Sequence, residues 1–185
     1  VIIPEGVTTL GLSCFENSSV RRIFLPSTLI TMSYNAFRGC ENLEEVIWYD
    51  ASEDNKNGLT YDADNNSYQV DGVTVSGTVT ENRTTWDKFF ARTSEECTSQ
   101  SLVVGSDGFR GCVRLSTFDF SRTTGIYDYA FEGCVSLTEA DLTGLRFGSA
   151  GAFYGAGLEN VTLSKDTQLN ADMFSGTAVE SIDYY

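Results

Sequence analysis

The chain has 185 residues with 12 basic and 26 acidic side chains, which gives a formal net charge of −14 at pH 7. This balance disfavours nucleic acid and anionic lipid as partners, because phosphate surfaces attract clustered Lys and Arg. Histidine is absent, which excludes Ser-His-Asp and Cys-His catalysis and any His-ligated zinc site. The length suits one domain, and no run of about 18 apolar residues is present to insert into a membrane.

The chain begins within a repeat pattern and not with a recognisable signal peptide. Its first residues, Val1 to Gly6, already alternate as later copies of the pattern do. We therefore expect a piece of a longer protein, with any export signal and terminal repeats lying outside this sequence.

Phenylalanine recurs along the chain with a period of 22 residues, shortened once to 21. In five of the six copies an apolar residue lies five positions before the phenylalanine; Gly148 is the exception, which predicts looser packing there. A fixed period of this length predicts a solenoid, because one coil cannot bury its own apolar face and must stack on its neighbours. The repeated residues are Phe15, Phe37, Phe109, Phe131, Phe153 and Phe174.

Each of these phenylalanines is followed by an apolar-x-apolar pair, the signature of a short strand with one buried face. We expect one such strand per coil in a parallel sheet, with the phenylalanine rings forming a ladder inside. The distance from the phenylalanine to this segment differs by one residue between copies, and we place that difference in a turn. The pairs are Ile23/Leu25, Val46/Trp48, Phe118/Phe120, Ala140/Leu142, Val161/Leu163 and Ile182/Tyr184.

The five cysteines form no Cys-x-x-Cys pair, so the sequence indicates neither a zinc knuckle nor a thioredoxin-like motif. Three of them stand three residues after a repeat phenylalanine, a position that Ala156 and Thr177 occupy in later copies. Small size is what this position requires. We favour buried structural thiols over a Cys112–Cys134 disulfide or a reactive thiol. The cysteines are Cys14, Cys40, Cys97, Cys112 and Cys134.

Residues 49–100 interrupt the period. Residues 50–58 are rich in Asp, Asn and Gly, which is typical of a surface loop, and residues 68–75 alternate around Asp71-Gly72, which predicts a β-hairpin. Either two degenerate coils lie here or one coil carries a hairpin excursion, and we favour the excursion. Residues 62–66 resemble a calcium loop but lack its glycine and its bidentate glutamate, which favours a simple turn.

Outward-facing strand residues should form the concave surface, where solenoids usually bind their partners. The C-terminal half of this face is acidic. Asp119 and Asp141 are expected on adjacent strands, where like charges destabilise a sheet, so we infer a basic partner there; solvated carboxylates are the alternative. The predicted binding residues are Arg22, Phe24, Glu45, Ile47, Thr117, Asp119, Glu139, Asp141, Asn160, Thr162 and Asp183.

The N-terminal half of the same face carries apolar residues. Phe24, Ile47 and Tyr49 would form an exposed patch of the kind that marks interaction sites. The alternative is that a neighbouring repeat or the 49–100 segment covers them.

The repeat pattern resembles the leucine-rich repeats of the BspA type. The resemblance implies an α/β-type leucine-rich-repeat solenoid over residues 1–185, built mostly from short parallel β-strands with an irregular or 3-10 convex side. In one copy the matching residues are Val20, Ile23, Leu25, Pro26, Leu29, Met32, Ala36, Phe37 and Cys40, and in another they are Ile126, Ala130, Phe131, Cys134 and Leu137.

The same resemblance implies a secreted or surface-exposed, non-enzymatic protein that adheres to host matrix proteins or to other surface proteins, without a cofactor. One alternative is a structural spacer within a larger surface protein. A second alternative is carbohydrate binding by the aromatic residues in and around the 49–100 segment, namely Trp48, Tyr49, Tyr61, Tyr68 and Trp86.

Overall fold

The computed structural model describes residues 1–3, 6–49, 59–62, 67–70, 73–75, 101–170 and 172–184, with the backbone only for residue 49 and for the three segments between 59 and 75. The described residues form strands and turns, without a helix. Their strands are β1 Thr9–Leu10, β2 Arg22–Pro26, β3 Thr31–Met32, β4 Glu45–Tyr49, β5 Leu59–Asp62, β6 Ser67–Val70, β7 Val73–Val75, β8 Leu102–Val104, β9 Thr123–Ile126, β10 Glu139–Leu142, β11 Phe147–Gly148, β12 Asn160–Leu163, β13 Gln168–Leu169 and β14 Ser181–Tyr184.

Five of the six described coils contribute a strand to each of two parallel sheets, and the coil of Phe109 reaches one of these sheets only through a bridge at Thr117. The predicted solenoid of parallel strands is confirmed. The apolar-x-apolar pairs form what we call the front sheet, with β2 paired to β4 and with β10, β12 and β14 in a second block. The residues that precede each phenylalanine by five form a continuous six-stranded side sheet in the order β1-β3-β8-β9-β11-β13. The expectation of one strand per coil was therefore incomplete, because the strands of the side sheet are only two to four residues long and show little alternation.

The phenylalanine ladder is confirmed. Successive rings stack nearly parallel, with centroids 5.2, 5.0, 5.1, 5.2 and 5.6 Å apart from Phe15 to Phe174. This separation is close to the spacing of about 4.8 Å between paired strands, so one ring per coil fits the sheet repeat. Backbone hydrogen bonds join successive coils beside the rings; for example, the Phe131 N–H donates to the Ala152 carbonyl at 2.7 Å.

The one-residue difference between copies is absorbed in a turn, as expected. Leu10 pairs with Met32 in the side sheet, whereas Arg22 pairs with Glu45 in the front sheet, one residue further along. The extra residue lies after Cys40. Gly39 at this turn has a φ of 68°, a left-handed conformation that glycine adopts without the steric penalty of a Cβ.

The coils on either side of the long interruption are direct neighbours. Phe37 stacks on Phe109, β3 pairs with β8, and the Gly39 N–H donates to the Arg110 carbonyl at 2.8 Å. The predicted hairpin is also confirmed, because β6 and β7 pair antiparallel with Val70 opposite Val73, and β5 completes a three-stranded sheet. The predicted surface loop and calcium-like turn, residues 50–58 and 63–66, lie outside the described residues.

Gly148 does not loosen its coil, contrary to expectation. It is buried in β11 and pairs with both Ile126 and Leu169. The side chain of Met173 fills the space that a side chain at this position would occupy, since a Cβ on Gly148 would collide with the Met173 sulfur. Met173 is itself buried, so the neighbouring coil supplies the missing apolar volume.

Arg122 connects parts of the solenoid that are not consecutive coils. Its Nη2 atom donates to the Ser27 carbonyl at 2.6 Å and to the Leu29 carbonyl at 3.0 Å, and its guanidinium lies 4.8 Å from the Trp48 ring centroid. Arg122 therefore ties together the two sides of the interruption.

Replacing Phe131 with Ala should reduce the free energy of unfolding by about 3–5 kcal/mol, because a fully buried ring between two stacked neighbours is removed and a cavity remains. Chemical denaturation followed by circular dichroism measures this change. The control is Val135→Ala on the same coil, which is 57% exposed and should change stability by less than about 0.5 kcal/mol. Equal losses in the two variants would contradict the role of the ladder.

Replacing Arg122 with Met should cost about 1–3 kcal/mol, because it leaves two backbone carbonyls without their charged donor. Thermal melting of the variant is the measurement. Arg146→Met is the matched control, since Arg146 is exposed and no side-chain hydrogen bond or ion pair is described for it. A loss no larger than that of the control would show that Arg122 does not tie the two sides together.

Candidate functional site

The front sheet aligns most of the predicted binding residues in two rows. One row contains Arg22 beside Glu45 and then Thr117, which forms an isolated bridge to Glu45. Further along, Glu139 is paired with Asn160, which is in turn paired with Ser181. The second row contains Phe24 beside Ile47, and Asp141 beside Thr162 and then Asp183.

Charges in the N-terminal part of the front sheet are paired. Arg22 Nε lies 3.1 Å from Glu45 Oε2 across the two strands. On the adjoining turn, Glu44 forms two ion pairs, with Oε2 3.0 Å from Arg21 Nη2 and Oε1 3.7 Å from Arg114 Nη1. These groups are partly exposed, so each pair contributes at most about 1 kcal/mol. Their effect is to leave little uncompensated charge on this part of the surface.

The expected exposed apolar patch is wrong at Phe24. This side chain has no exposed surface, and the register places it between Ile2 on one side and Ile47 on the other. Ile47 is half-buried, and the side chain of Tyr49 lies outside the described residues.

Carboxylates dominate the C-terminal part of the front sheet. Glu139, Asp141 and Asp183 are exposed, and none of them forms an ion pair within the part of the chain that the structure describes. Asn160 and Thr162 lie between them on β12 and supply neutral hydrogen-bonding groups. We call these five residues the acidic strip.

Asp119 does not lie on a strand, so the expectation that it faces Asp141 on an adjacent strand is wrong. Its coil enters the front sheet only through the bridge at Thr117. Asp119 Oδ1 accepts the N–H of Ser121 at 2.9 Å, and Asp141 Oδ1 accepts the N–H of Thr143 at 3.1 Å. Both aspartates thus stabilise the turns that follow them, a local function that short acidic side chains commonly perform.

Trp48 is not available as a sugar-stacking platform. Its ring is half-buried, meets the edge of Phe118 with centroids 6.4 Å apart and lies beside the Arg122 guanidinium. The side chains of Tyr49, Tyr61 and Tyr68, and all of Trp86, lie outside the described residues.

The repeated cysteines form a ladder of free thiols. Each donates to the carbonyl oxygen of the phenylalanine in the preceding coil, as Cys134 does to Phe109 at 3.2 Å and Cys112 does to Phe37 at 3.2 Å. Burial raises the pKa of Cys134 to about 12 and raises the pKa of Cys112 well above its ordinary value. The thiols of Cys112 and Cys134 are therefore protonated, unreactive groups of the core. Within the described ranges, no group of three or more Cys, Asp or Glu side chains could hold a metal ion.

A cavity of about 460 Å³ on the turn side of the solenoid was not found from the sequence. Tyr129 and Tyr154 line it, together with Arg110, Glu132 and Asp172. The sequence signal is Gly151, which stands two residues before a repeat phenylalanine where the other copies have Ser, Asn, Asp or Tyr. The missing side chain makes room for the Tyr129 ring, because a Cβ on Gly151 would collide with it.

Tyr129 adopts a left-handed backbone conformation with a φ of 57°. For a bulky residue this conformation costs on the order of 1–3 kcal/mol and is found most often at ligand clamps and active sites. The same position in neighbouring coils is occupied by Asp107 with a φ of 55° and by Gly151 with a φ of 61°. The repeat therefore imposes this conformation, and the chain places an aromatic ring there in spite of its cost.

A comparison with protein families identifies the repeat. The family model for the BspA type leucine rich repeat region matches residues 1–81 and 88–185 in six copies, so the chain belongs to this family of repeat proteins. A comparison with curated proteins found no match. Within the described residues, no helix is long and apolar enough to cross a membrane.

Two solved structures are similar to this chain. One is a leucine rich cell surface protein from Faecalibacterium prausnitzii A2-165, with 21% sequence identity, a TM-score of 0.44, and coverage of 99% of this chain and 59% of that one. The other is a leucine-rich repeat protein from Eubacterium ventriosum, with 17% identity, a TM-score of 0.34, and coverage of 99% of this chain and 54% of that one. The chain thus spans little more than half the length of either protein.

In a Cys97→Ser variant, which removes the one cysteine outside the described residues, only Cys14 should react with an aromatic disulfide reagent in the native state at pH 8. Cys14 is exposed, although partial burial raises its pKa, so its reaction should be slower than that of free cysteine. After denaturation, four thiols should react. Rapid labelling of a second thiol in the native protein would contradict the buried ladder.

Proposed function

We propose that this chain is a non-enzymatic protein-binding module of a surface protein and that the acidic strip contacts a basic surface on its partner. The observation that carries the proposal is the contrast within the front sheet. Arg22 and Glu45 neutralise each other at one end, whereas Glu139, Asp141 and Asp183 present carboxylates without described ion pairs at the other. Membership in the repeat family supports a binding surface.

The physical basis is electrostatic complementarity. A chain with a net charge of −14 attracts basic proteins over a distance, and an unpaired acidic strip orients the encounter. The neutral side chains of Asn160 and Thr162 between the carboxylates allow hydrogen bonds to form at close range. Proteins of the host matrix or of neighbouring cell surfaces are the proposed partners, and the surface location is inferred from the family resemblance alone.

The absence of histidine from the whole sequence supports the non-enzymatic part of the proposal, since the most widespread general base is missing. In addition, the residues of the acidic strip lie on an open sheet face and not in a cleft. Catalytic acids commonly lie in buried or charge-crowded sites, and an open sheet face does not provide such a site.

Reversing two charges of the strip, in the double variant Glu139→Lys and Asp183→Lys, should weaken binding to basic matrix proteins by about tenfold or more. These two positions are chosen because, unlike Asp141, no hydrogen bond of their carboxylates is described that the substitution would break. Surface plasmon resonance against a panel of immobilised, purified host matrix proteins measures the effect at two salt concentrations.

The matched control is the double variant Glu41→Lys and Asp128→Lys, which changes the net charge equally at exposed positions outside the front sheet. It should retain most of the binding. If both double variants lost affinity equally, binding would follow net charge and not the acidic strip. If neither lost affinity for any bound protein, the proposal would be wrong and a spacer role would be favoured.

A further inference from the structure

The turn-side cavity lies next to a guanidinium group that the chain itself supplies. Arg110 Nη1 donates to Asp107 Oδ1 at 2.9 Å. Its Nε and Nη2 atoms donate to the two carboxylate oxygens of Glu132 at 3.0 and 3.1 Å. Its guanidinium carbon lies 5.8 Å from the Tyr129 ring centroid. Carboxylates with an aromatic face are the surroundings in which a guanidinium binds well. The turn side of this solenoid thus already binds one cation.

One coil further along, the same surface offers similar groups without a cation. Tyr154 is 48% exposed, and no ring or cation contact to it is described. Asp172 is exposed, and its carboxylate has no ion pair among the residues that the structure describes. Gly151 and Tyr129 line the same cavity, and the Tyr129 ring occupies the space that a side chain on Gly151 would fill. An aromatic ring, a carboxylate and an empty space of about 460 Å³ therefore lie together.

We propose that this cavity binds an arginine or lysine side chain presented by a partner protein. The cation would lie in the cavity, with the exposed Tyr154 ring on one side and the Asp172 carboxylate as its ion-pair partner. Tyr129 forms a further part of the wall, held there in its strained conformation. This site is on the turn side and not on the front sheet, so it does not depend on the acidic strip.

The lining also indicates which ligands are disfavoured. Among the described residues, Arg110 is the only cationic one that lines the cavity, and it is already paired with two carboxylates. A phosphate or carboxylate ligand would have to compete with Asp107 and Glu132 for that guanidinium. Together with Asp172, these groups leave an excess of negative charge, which attracts a cation.

The test uses the peptide Ac-Gly-Arg-Gly-NH2 as the probe, titrated into the isotopically labelled protein and followed by amide chemical shifts. The amides of Gly151 and Ser175, which line the cavity, should shift, and the neutral analogue Ac-Gly-Gln-Gly-NH2 should leave them unchanged. The variants Tyr154→Leu and Asp172→Asn should each lower the affinity for the arginine peptide by about two- to fivefold. A higher salt concentration should lower the affinity for the arginine peptide as well.

Two controls match these substitutions away from the cavity. Tyr34→Leu removes a tyrosine ring that is 57% exposed, and Asp166→Asn removes an exposed carboxylate; both should bind the peptide as the parent protein does. Equal loss in the control variants, or peptide shifts confined to the front-sheet strands, would overturn the proposal. It would also be overturned if methyl glucoside, and not the arginine peptide, shifted the cavity amides, because the ligand would then be a saccharide. Thermal melting of each variant excludes unfolding as the cause of any loss.

Discussion

The stacking of one phenylalanine ring per coil is the constraint on which the rest of this structure depends. Ring centroids 5.0–5.6 Å apart fall within the range of favourable offset stacking, and they also match the distance between paired strands. A shift of one residue in any coil would remove a ring from the ladder and turn the neighbouring strand residues to the wrong face. The ladder therefore fixes the register in which both sheets pair, and length differences are confined to turns such as the one after Cys40.

The parts of the fold that repeat were predictable because the same physical requirement recurs in each coil. Phe131, the thiol of Cys134 and the strand pair Ala140/Leu142 each occupy a position whose size and burial are fixed by the coil before and the coil after. The side sheet was not predicted, since strands as short as Phe147–Gly148 carry no alternation. Gly148 illustrates a further limit of sequence analysis. Its missing volume is supplied by Met173, and a contact between coils cannot be derived from a pattern within one coil.

The strand register of the candidate site was predictable, but the exposure of its side chains was not. The sequence placed Arg22 with Glu45 and Asp141 with Thr162 in the same rows, because parallel pairing follows from the period. It left open whether Phe24 is covered, and it did not predict that Asp119 lies outside the sheet and accepts the Ser121 N–H. Both outcomes depend on which side chains flank a position in three dimensions. The turn-side cavity was not predicted for the same reason, since part of its wall is the Tyr129 ring, which fills the space that Gly151 leaves in the next coil.

The positions that vary between copies are those that do not take part in the stacking. Residues that stabilise the solenoid are therefore different from those available to bind a partner. A buried ring such as Phe109 cannot change without a cavity, whereas the exposed position four residues after the ring is Glu41 in one coil and Val113 in the next described coil. Tyr129 is the informative exception. Its backbone is fixed by the repeat in a conformation that disfavours large side chains, so a small residue would be more stable there. The Tyr129 ring lies beside the Arg110 guanidinium, which is paired with two carboxylates, and it lines an open cavity. The proposed binding of a cation explains an aromatic ring at this position better than a gain in the stability of the fold does.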